Sequence, residues 1–183
     1  NLVQAIPDYQ PGNPLVEKTT IGAMVSHEHL HKVLEFIGIG QEEGAKLIAG
    51  GNEAFPVEGG AYLTPTIFDR VGNDMRVARE EIFGPVLSII TVKDAVEAIE
   101  KANDSDYGLA AAVWSDDINT AHQVAREIRA GFVHVNGYGN DDMTAPFGGY
   151  KRSGSGSKDK SLHSIDDYTE LKTTWFQLRP LHD

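Results

Sequence analysis

The most constraining feature of this sequence is an alternation of strand and helix patterns between Val86 and Asn136. The apolar run from Val86 is followed by KDAVEAIEKAN, in which Asp94 and Glu97 have the spacing of a helix-capping box. The full pattern predicts strand 86–92, helix 94–103, strand 109–115, a helix capped by Asp117, and strand 132–136. Connections this short favour right-handed crossovers, so we expect an α/β fold with a parallel β-α-β-α-β sheet.

Other segments have weaker patterns of the same kinds. Apolar residues recur at helical spacing after Ser26, which predicts a capped helix within 26–45. The helix after Asp117 is expected to bury five side chains: Ile118, Ala121, Val124, Ala125 and Ile128. Further elements are predicted as strands at 46–49 and 61–69, a short helix near 158–167, and a strand at 169–178. That last strand has Trp175 and Phe176 on opposite faces and is expected at a sheet edge that awaits a partner.

Charge and composition narrow the possible partners. The formal net charge of −11 over 183 residues argues against binding to nucleic acid or to an anionic membrane surface. No apolar run approaches the ~20 residues of a membrane span, and the start of the chain lacks a signal-peptide pattern. We therefore expect one domain, or a large part of one, in a soluble cytoplasmic protein that binds a small molecule or another protein.

Cysteine is absent from the sequence, whereas histidine is concentrated in one short segment. The absence excludes disulfides, cysteine-ligated metals and a thiol nucleophile within this chain. In HEHLH, His27 and His31 would share a helix face, a spacing that can bind a metal. No third ligand of obvious spacing accompanies them, so a solvated helix face is the expectation and no metal site is predicted.

The stretch REEIFGPV places Glu80 and Glu81 before a Phe-Gly-Pro turn that leads into the first strand of the alternating run. A carboxylate matches the paired hydroxyls of a ribose, and the nearby Phe83 can lie against a flat heterocycle. From spacing alone, the favoured interpretation of these acids is that they serve as charges at a helix end. Parallel sheets bind ligands beyond the carboxyl ends of their strands, which also makes the long loop after Asn136 a candidate site.

Five motifs in the same order resemble the carboxyl-terminal part of NAD(P)-dependent aldehyde dehydrogenases: REEIFGPV, YGLAAAVWS, AGFVHVN, PFGGYKRSGSG and YTELKTTW. The resemblance runs from about Gly12 to Leu178. Within that family, the segment NDDMTAPFGGYKRSGSGSKDKSLHSIDDYTELKT is similar to the γ-glutamyl-γ-aminobutyraldehyde dehydrogenases of putrescine breakdown.

The resemblance implies roles for five residues. Glu81 would hold the nicotinamide ribose of NAD or NADP, with Phe83 beside it helping to position the nicotinamide. Phe147 would line the tunnel through which the aldehyde approaches. Asp141 and Asp142, near the substrate entrance, would favour an aldehyde that carries an amino group, although an acidic solvated loop is the alternative.

The resemblance also implies what the chain lacks. The family attacks the aldehyde with a cysteine thiolate and hydrolyses the thioester with a glutamate base, both of which precede the matching segment. We therefore expect a fragment, inactive alone, with residues 1–168 forming part of the catalytic domain and 169–183 an oligomerisation strand and tail. The full enzyme would be a homodimer or homotetramer. The alternative is a non-catalytic binding or oligomerisation module of the same fold.

Overall fold

The computed structural model describes residues 2–139, 142–155 and 158–178, and the chain divides into two compact units, Asn1–Lys101 and Ala102–Asp183. The α-helices are α1 (Leu2–Ala5), α2 (His27–Glu42), α3 (Arg76–Arg79), α4 (Ala95–Asn103) and α5 (Ile118–Glu127). Short 3-10 helices cover Ile6–Asp8 and Leu162–Tyr168. The strands are β1 (Lys46–Ala49), β2 (Glu53–Ala54), β3 (Tyr62–Leu63), β4 (Thr66–Asp69), β5 (Val86–Ser88), β6 (Tyr107–Gly108), β7 (Ala110–Val113), β8 (Phe132–Val135) and β9 (Tyr150–Lys151).

The first unit is organised around strand β4. This strand is central in the order β1-β4-β5, antiparallel to β1 and parallel to β5, with Thr66 opposite Val86. Helix α2 begins where the sequence predicts, because the Ser26 hydroxyl accepts a hydrogen bond from the His29 backbone N–H. The helix buries one face, and its side chains join those of the sheet in a core that includes Leu30, Val33, Phe36, Ile37, Leu63, Phe68 and Ile82.

The second unit contains a parallel pair of strands and the helix that connects them. Strands β7 and β8 pair from Ala110 opposite Phe132 to Val113 opposite Val135. The Asp117 carboxylate accepts the backbone N–H groups of Asn119 and Thr120 and so caps α5. The α/β class and the presence of parallel pairing are confirmed, since β5 pairs in parallel with β4 and β7 with β8. The predicted single sheet over 86–136 differs from the structure, in which β5 and β7 belong to separate sheets within the described residues.

Three sequence expectations are wrong in detail. The helix α5 buries Ala121 and Val124, but Ile118 is 63% exposed because it occupies the first position of the helix. The predicted strand 61–69 is interrupted before β4, at the position of Pro65, which has no N–H to donate to a ladder. The predicted helix near 158–167 is instead the 3-10 helix that ends at Tyr168.

The segment 169–178 forms no strand in the described part of the chain. Its side chains are exposed, with Trp175 at 88% and Phe176 at 78%. A β-strand exists only where a neighbouring strand accepts and donates its backbone hydrogen bonds, and sequence pattern cannot supply that neighbour. Among the described residues there is also no helix with the length and apolar character needed to cross a bilayer.

Among the residues that the structure describes, Phe68 has the largest fully buried side chain, and its removal tests the importance of β4. We expect Phe68→Ala to lower the free energy of unfolding by about 3–5 kcal/mol, because it leaves a cavity between α2 and the sheet. The matched control is Phe55→Ala, since Phe55 is 79% exposed and should change stability by less than about 0.5 kcal/mol. Urea denaturation followed by circular dichroism measures both. Equal losses from the two variants would contradict this account of the core.

Candidate functional site

The two adjacent acids of REEIFGPV have different environments. Glu80 is the C-cap residue of α3, and its carboxylate accepts two hydrogen bonds from the Arg76 guanidinium, at 2.5 Å from Nε and 3.3 Å from Nη2. The bond from Arg76 holds the pKa of the Glu80 carboxyl below its usual value, and the same partnership raises the pKa of Arg76. Glu80 is therefore an exposed charge at a helix end. This is one of the two roles that the sequence allowed for the adjacent acids.

Arg76 is itself fixed by further contacts. Its backbone N–H donates to the Glu43 carboxylate at 2.8 Å, and its guanidinium lies 5.1 Å from the centre of the Phe36 ring on α2. A cation above an aromatic face is attracted to the negative charge of the ring. The Arg76–Glu80 pair thus contacts helix α2 through Phe36.

Glu81 is exposed, and no hydrogen bond or ion pair involves its carboxylate within the residues that the structure describes. It lies with Phe83 on the lining of an open cavity of about 320 Å³, whose other lining residues are Val77, Glu80, Ile82, Gly84, Val86 and Ser88. The Phe83 side chain is 75% exposed. An acceptor carboxylate and an uncovered aromatic ring therefore share one small concave surface.

Three contacts attach this turn to the first unit. Ile82 is buried in the core. Gly84 approaches α2 so closely that a Cβ atom there would lie 2.8 Å from Val33 Cγ1. The Phe83 carbonyl oxygen accepts a hydrogen bond from His29 Nε2 at 2.7 Å. The turn thus presents Glu81 and Phe83 outward while the residues around them face helix α2.

His29 is the residue that the sequence analysis missed. The expectation of a solvated helix face is wrong for this histidine, which is half-buried and bonded to a carbonyl 54 residues away. His27 is exposed, with Nε2 at 3.2 Å from the Gly59 carbonyl. In the part of the chain described by the structure, no group of three or more His, Asp or Glu side chains is arranged to hold a metal.

The second candidate region precedes Phe147. Asp141 lies outside the described residues, so only Asp142 can be placed. Its Oδ1 accepts hydrogen bonds from the Thr144 backbone N–H and hydroxyl, both at 2.8 Å, and these bonds lower the pKa of the Asp142 carboxyl. Asp142 is exposed, so the loop carries a fixed negative charge at neutral pH.

Phe147 is half-buried beside two other side chains. Its ring centre is 5.9 Å from that of Phe132, and Lys160 Nζ lies 5.3 Å from the Phe147 ring centre. A cavity of about 660 Å³ opens nearby, lined by Met143, Thr144, Pro146 and residues 159–164. The Phe147 carbonyl accepts from the Asp159 N–H at 2.7 Å, which connects the residue to the edge of this cavity.

The turn at Glu81 and the loop before Phe147 each lie beside an open cavity, and comparison with known proteins identifies the family of the chain. The sequence pattern that defines the aldehyde dehydrogenase family matches residues 1–174. The chain belongs to the aldehyde dehydrogenase family. Membership of this family confirms the resemblance predicted from the sequence motifs, and it agrees with the α/β class of the fold.

Individual relatives support the same conclusion. The NADP/NAD-dependent aldehyde dehydrogenase PuuC of Escherichia coli K12 is 45% identical over 177 residues, which are 97% of this chain and 35% of that protein. Two solved structures each superpose with a TM-score of 0.90 at 53% identity, covering 97% of this chain and 36% of theirs. They are an indole-3-acetaldehyde dehydrogenase in complex with NAD+ and the aldehyde dehydrogenase KauB of Pseudomonas aeruginosa. The chain spans about a third of the length of these relatives.

Proposed function

We propose that this chain is part of an NAD(P)-dependent enzyme that oxidises an aldehyde to a carboxylic acid. The observation that carries the proposal is the exposed Glu81 carboxylate beside the exposed Phe83 ring, on a turn attached to α2. The chain covers a third of its relatives and contains no cysteine, so the proposal places the attacking thiol on a segment outside this sequence.

The side chains of Glu81 and Phe83 have the chemistry needed to bind the nicotinamide end of the cofactor. The Glu81 carboxylate has acceptor oxygens available for the two hydroxyls of the nicotinamide ribose, and Phe83 offers an apolar face beside it. NAD(P)+, when bound, accepts the hydride that leaves the substrate carbon. In this proposal Glu81 and Phe83 bind and orient the cofactor and take no part in bond breaking.

The first test compares this chain with a longer protein that contains it. We expect the 183-residue chain alone to show no NAD(P)+-dependent aldehyde oxidation, because it has no thiol to attack the substrate. The longer protein should produce NADH or NADPH with aldehydes, as measured by absorbance at a wavelength specific to the reduced cofactor. Turnover by the chain alone would contradict the proposed division of the active site. A longer protein that binds NAD+ without turnover would favour the non-catalytic module.

Glu81→Gln tests the role of the turn. We expect roughly tenfold weaker cofactor affinity and slower hydride transfer in the complete enzyme, because a charged acceptor forms stronger hydrogen bonds than an amide does. Isothermal titration with NAD+ and rapid-mixing measurements of NADH formation give the two quantities.

Glu80→Gln is the matched control for this variant. It removes the adjacent carboxylate that Arg76 holds, so we expect lower thermal stability and nearly normal cofactor affinity. Equal losses of affinity in the two variants would show that general acidity of the turn, rather than Glu81 itself, is what the cofactor requires.

We further propose that the substrate aldehyde carries an amino group, as γ-glutamyl-γ-aminobutyraldehyde of polyamine catabolism does. The support is the fixed charge of Asp142, to which the sequence adds Asp141, in the loop before Phe147. Phe147 would line the approach to the reacting carbon. The 53% identity with an indole-3-acetaldehyde dehydrogenase favours a second candidate, an uncharged aromatic aldehyde.

Asp142→Asn distinguishes these two substrate classes. If the carboxylate attracts an amino group, KM for an aminoaldehyde should rise by roughly two- to fivefold, the scale of an exposed ion pair. KM for indole-3-acetaldehyde should stay unchanged, and added salt should reduce the difference between variant and parent. Asp141→Asn is the companion variant. Proportional changes for both aldehydes would mean that the loop does not select by charge.

We propose that residues 1–168 belong to the catalytic domain and that 169–183 pair with a neighbouring subunit in a homodimer or homotetramer. The support is the cluster of exposed apolar side chains at Leu171, Trp175, Phe176 and Leu178, all more than three-quarters exposed. We also propose a cytoplasmic enzyme without nucleic-acid or membrane partners, which cell fractionation can check.

Removal of 169–183 tests the assembly. We expect the complete enzyme to lose its oligomeric mass, because the neighbouring strand edge would be left without hydrogen-bonding partners. Light scattering coupled to size-exclusion chromatography measures this mass. The double substitution Trp175→Ser and Phe176→Ser keeps the backbone and tests the side chains alone. An unchanged mass in the deletion variant would place the oligomer interface elsewhere.

A further inference from the structure

Phe83 has a backbone conformation that most residues avoid. Its φ is +55°, in the left-handed region where the Cβ atom of a non-glycine residue crowds the neighbouring backbone. Such a conformation persists only where surrounding contacts determine it. The ring of Phe83 is 75% exposed and makes little of that contribution, so the backbone of the turn must be held by other groups.

The contact on Phe83 itself comes from His29. Nε2 of His29 donates to the Phe83 carbonyl oxygen at 2.7 Å, a short distance for such a bond. His29 is placed by helix α2, in which the next residue, Leu30, and the residue four positions on, Val33, are both buried. The donor therefore projects from a rigid part of the core.

The neighbouring contacts hold the turn on either side of Phe83 but do not fix its peptide group. Ile82 is buried in the core, and Gly84 lies against Val33. The Gly84 carbonyl accepts the Val86 N–H at 2.7 Å, which begins strand β5. Without the His29 bond, the peptide plane after Phe83 could rotate between these two fixed ends and turn the ring away from Glu81.

We propose that His29 is a positioning residue for the cofactor site: its hydrogen bond to the Phe83 carbonyl holds the left-handed turn in which Glu81 and Phe83 face the same cavity. The inference rests on the proposed function of that turn. It assigns no chemical step and no cofactor contact to His29. The bond requires a hydrogen on Nε2, so the imidazole acts here as a donor.

The experiment uses three variants of the complete enzyme. His29→Ala removes the donor, and His29→Gln offers an amide N–H that can reach the same carbonyl. His31→Ala is the matched control, because His31 is an exposed histidine on the same helix, with no described hydrogen bond of its side chain. Each variant is measured for NAD+ dissociation constant by calorimetry, KM for the aldehyde, thermal stability, and amide hydrogen exchange of Val86 in the cofactor-free protein.

In His29→Ala we expect roughly tenfold weaker NAD+ binding and faster exchange at Val86, with the aldehyde KM nearly unchanged. His29→Gln should restore both properties in large part, and His31→Ala should match the parent enzyme. A stability role alone would lower the melting temperature without the selective effect on NAD+.

Two results would overturn the inference: unchanged NAD+ affinity and Val86 exchange in His29→Ala, or failure of His29→Gln to restore either property. A different result would overturn the proposed function instead. If the parent protein bound no NAD+, the cofactor role would be lost for Glu81 and His29 alike. Exchange at Val86 would still decide whether His29 holds the turn.

Discussion

The close approach of Gly84 to helix α2 is the constraint on which the candidate site depends. A Cβ atom at this position would lie 2.8 Å from Val33, whose side chain is completely buried. Because glycine has no such atom, the chain can leave α3, pass against the helix and enter β5 within a few residues. Ile82 enters the core on one side of Phe83, and strand β5 begins pairing with β4 on the other. The exposed pair Glu81 and Phe83 is the part of this path that faces outward.

This path also explains how two neighbouring glutamates acquire different roles. Glu80 still belongs to the end of α3, where a residue four positions earlier is within reach, and Arg76 occupies its carboxylate. The backbone becomes extended at Glu80 itself, and Glu81 lies one residue beyond this end of the helix. Although the two residues are adjacent in sequence, the Glu80 carboxylate is bound to Arg76, whereas the Glu81 carboxylate is available to a ligand.

The features that could be predicted from sequence are those determined over a few residues. Ser26, Asp94 and Asp117 each cap a helix through backbone N–H groups two or three positions away, and all three were identified from spacing alone. The segment 169–178 has no strand partner among the described residues, because pairing depends on a neighbour that sequence pattern does not reveal. His29 was missed for the same reason, since its partner is 54 residues along the chain. The family motifs indicated the turn at Glu81 as a candidate site, but only the structure showed the contacts between this turn and α2.

The left-handed backbone at Phe83 has a consequence for engineering. Glycine would adopt this conformation without strain, so Phe83→Gly should relax the turn while it deletes the aromatic surface. With the role proposed for Phe83 in cofactor binding, stability and activity make opposite demands on this residue. A directed-evolution campaign that screened only for heat resistance would favour Phe83→Gly. It would thereby remove the aromatic ring, and no loss of stability would reveal the change.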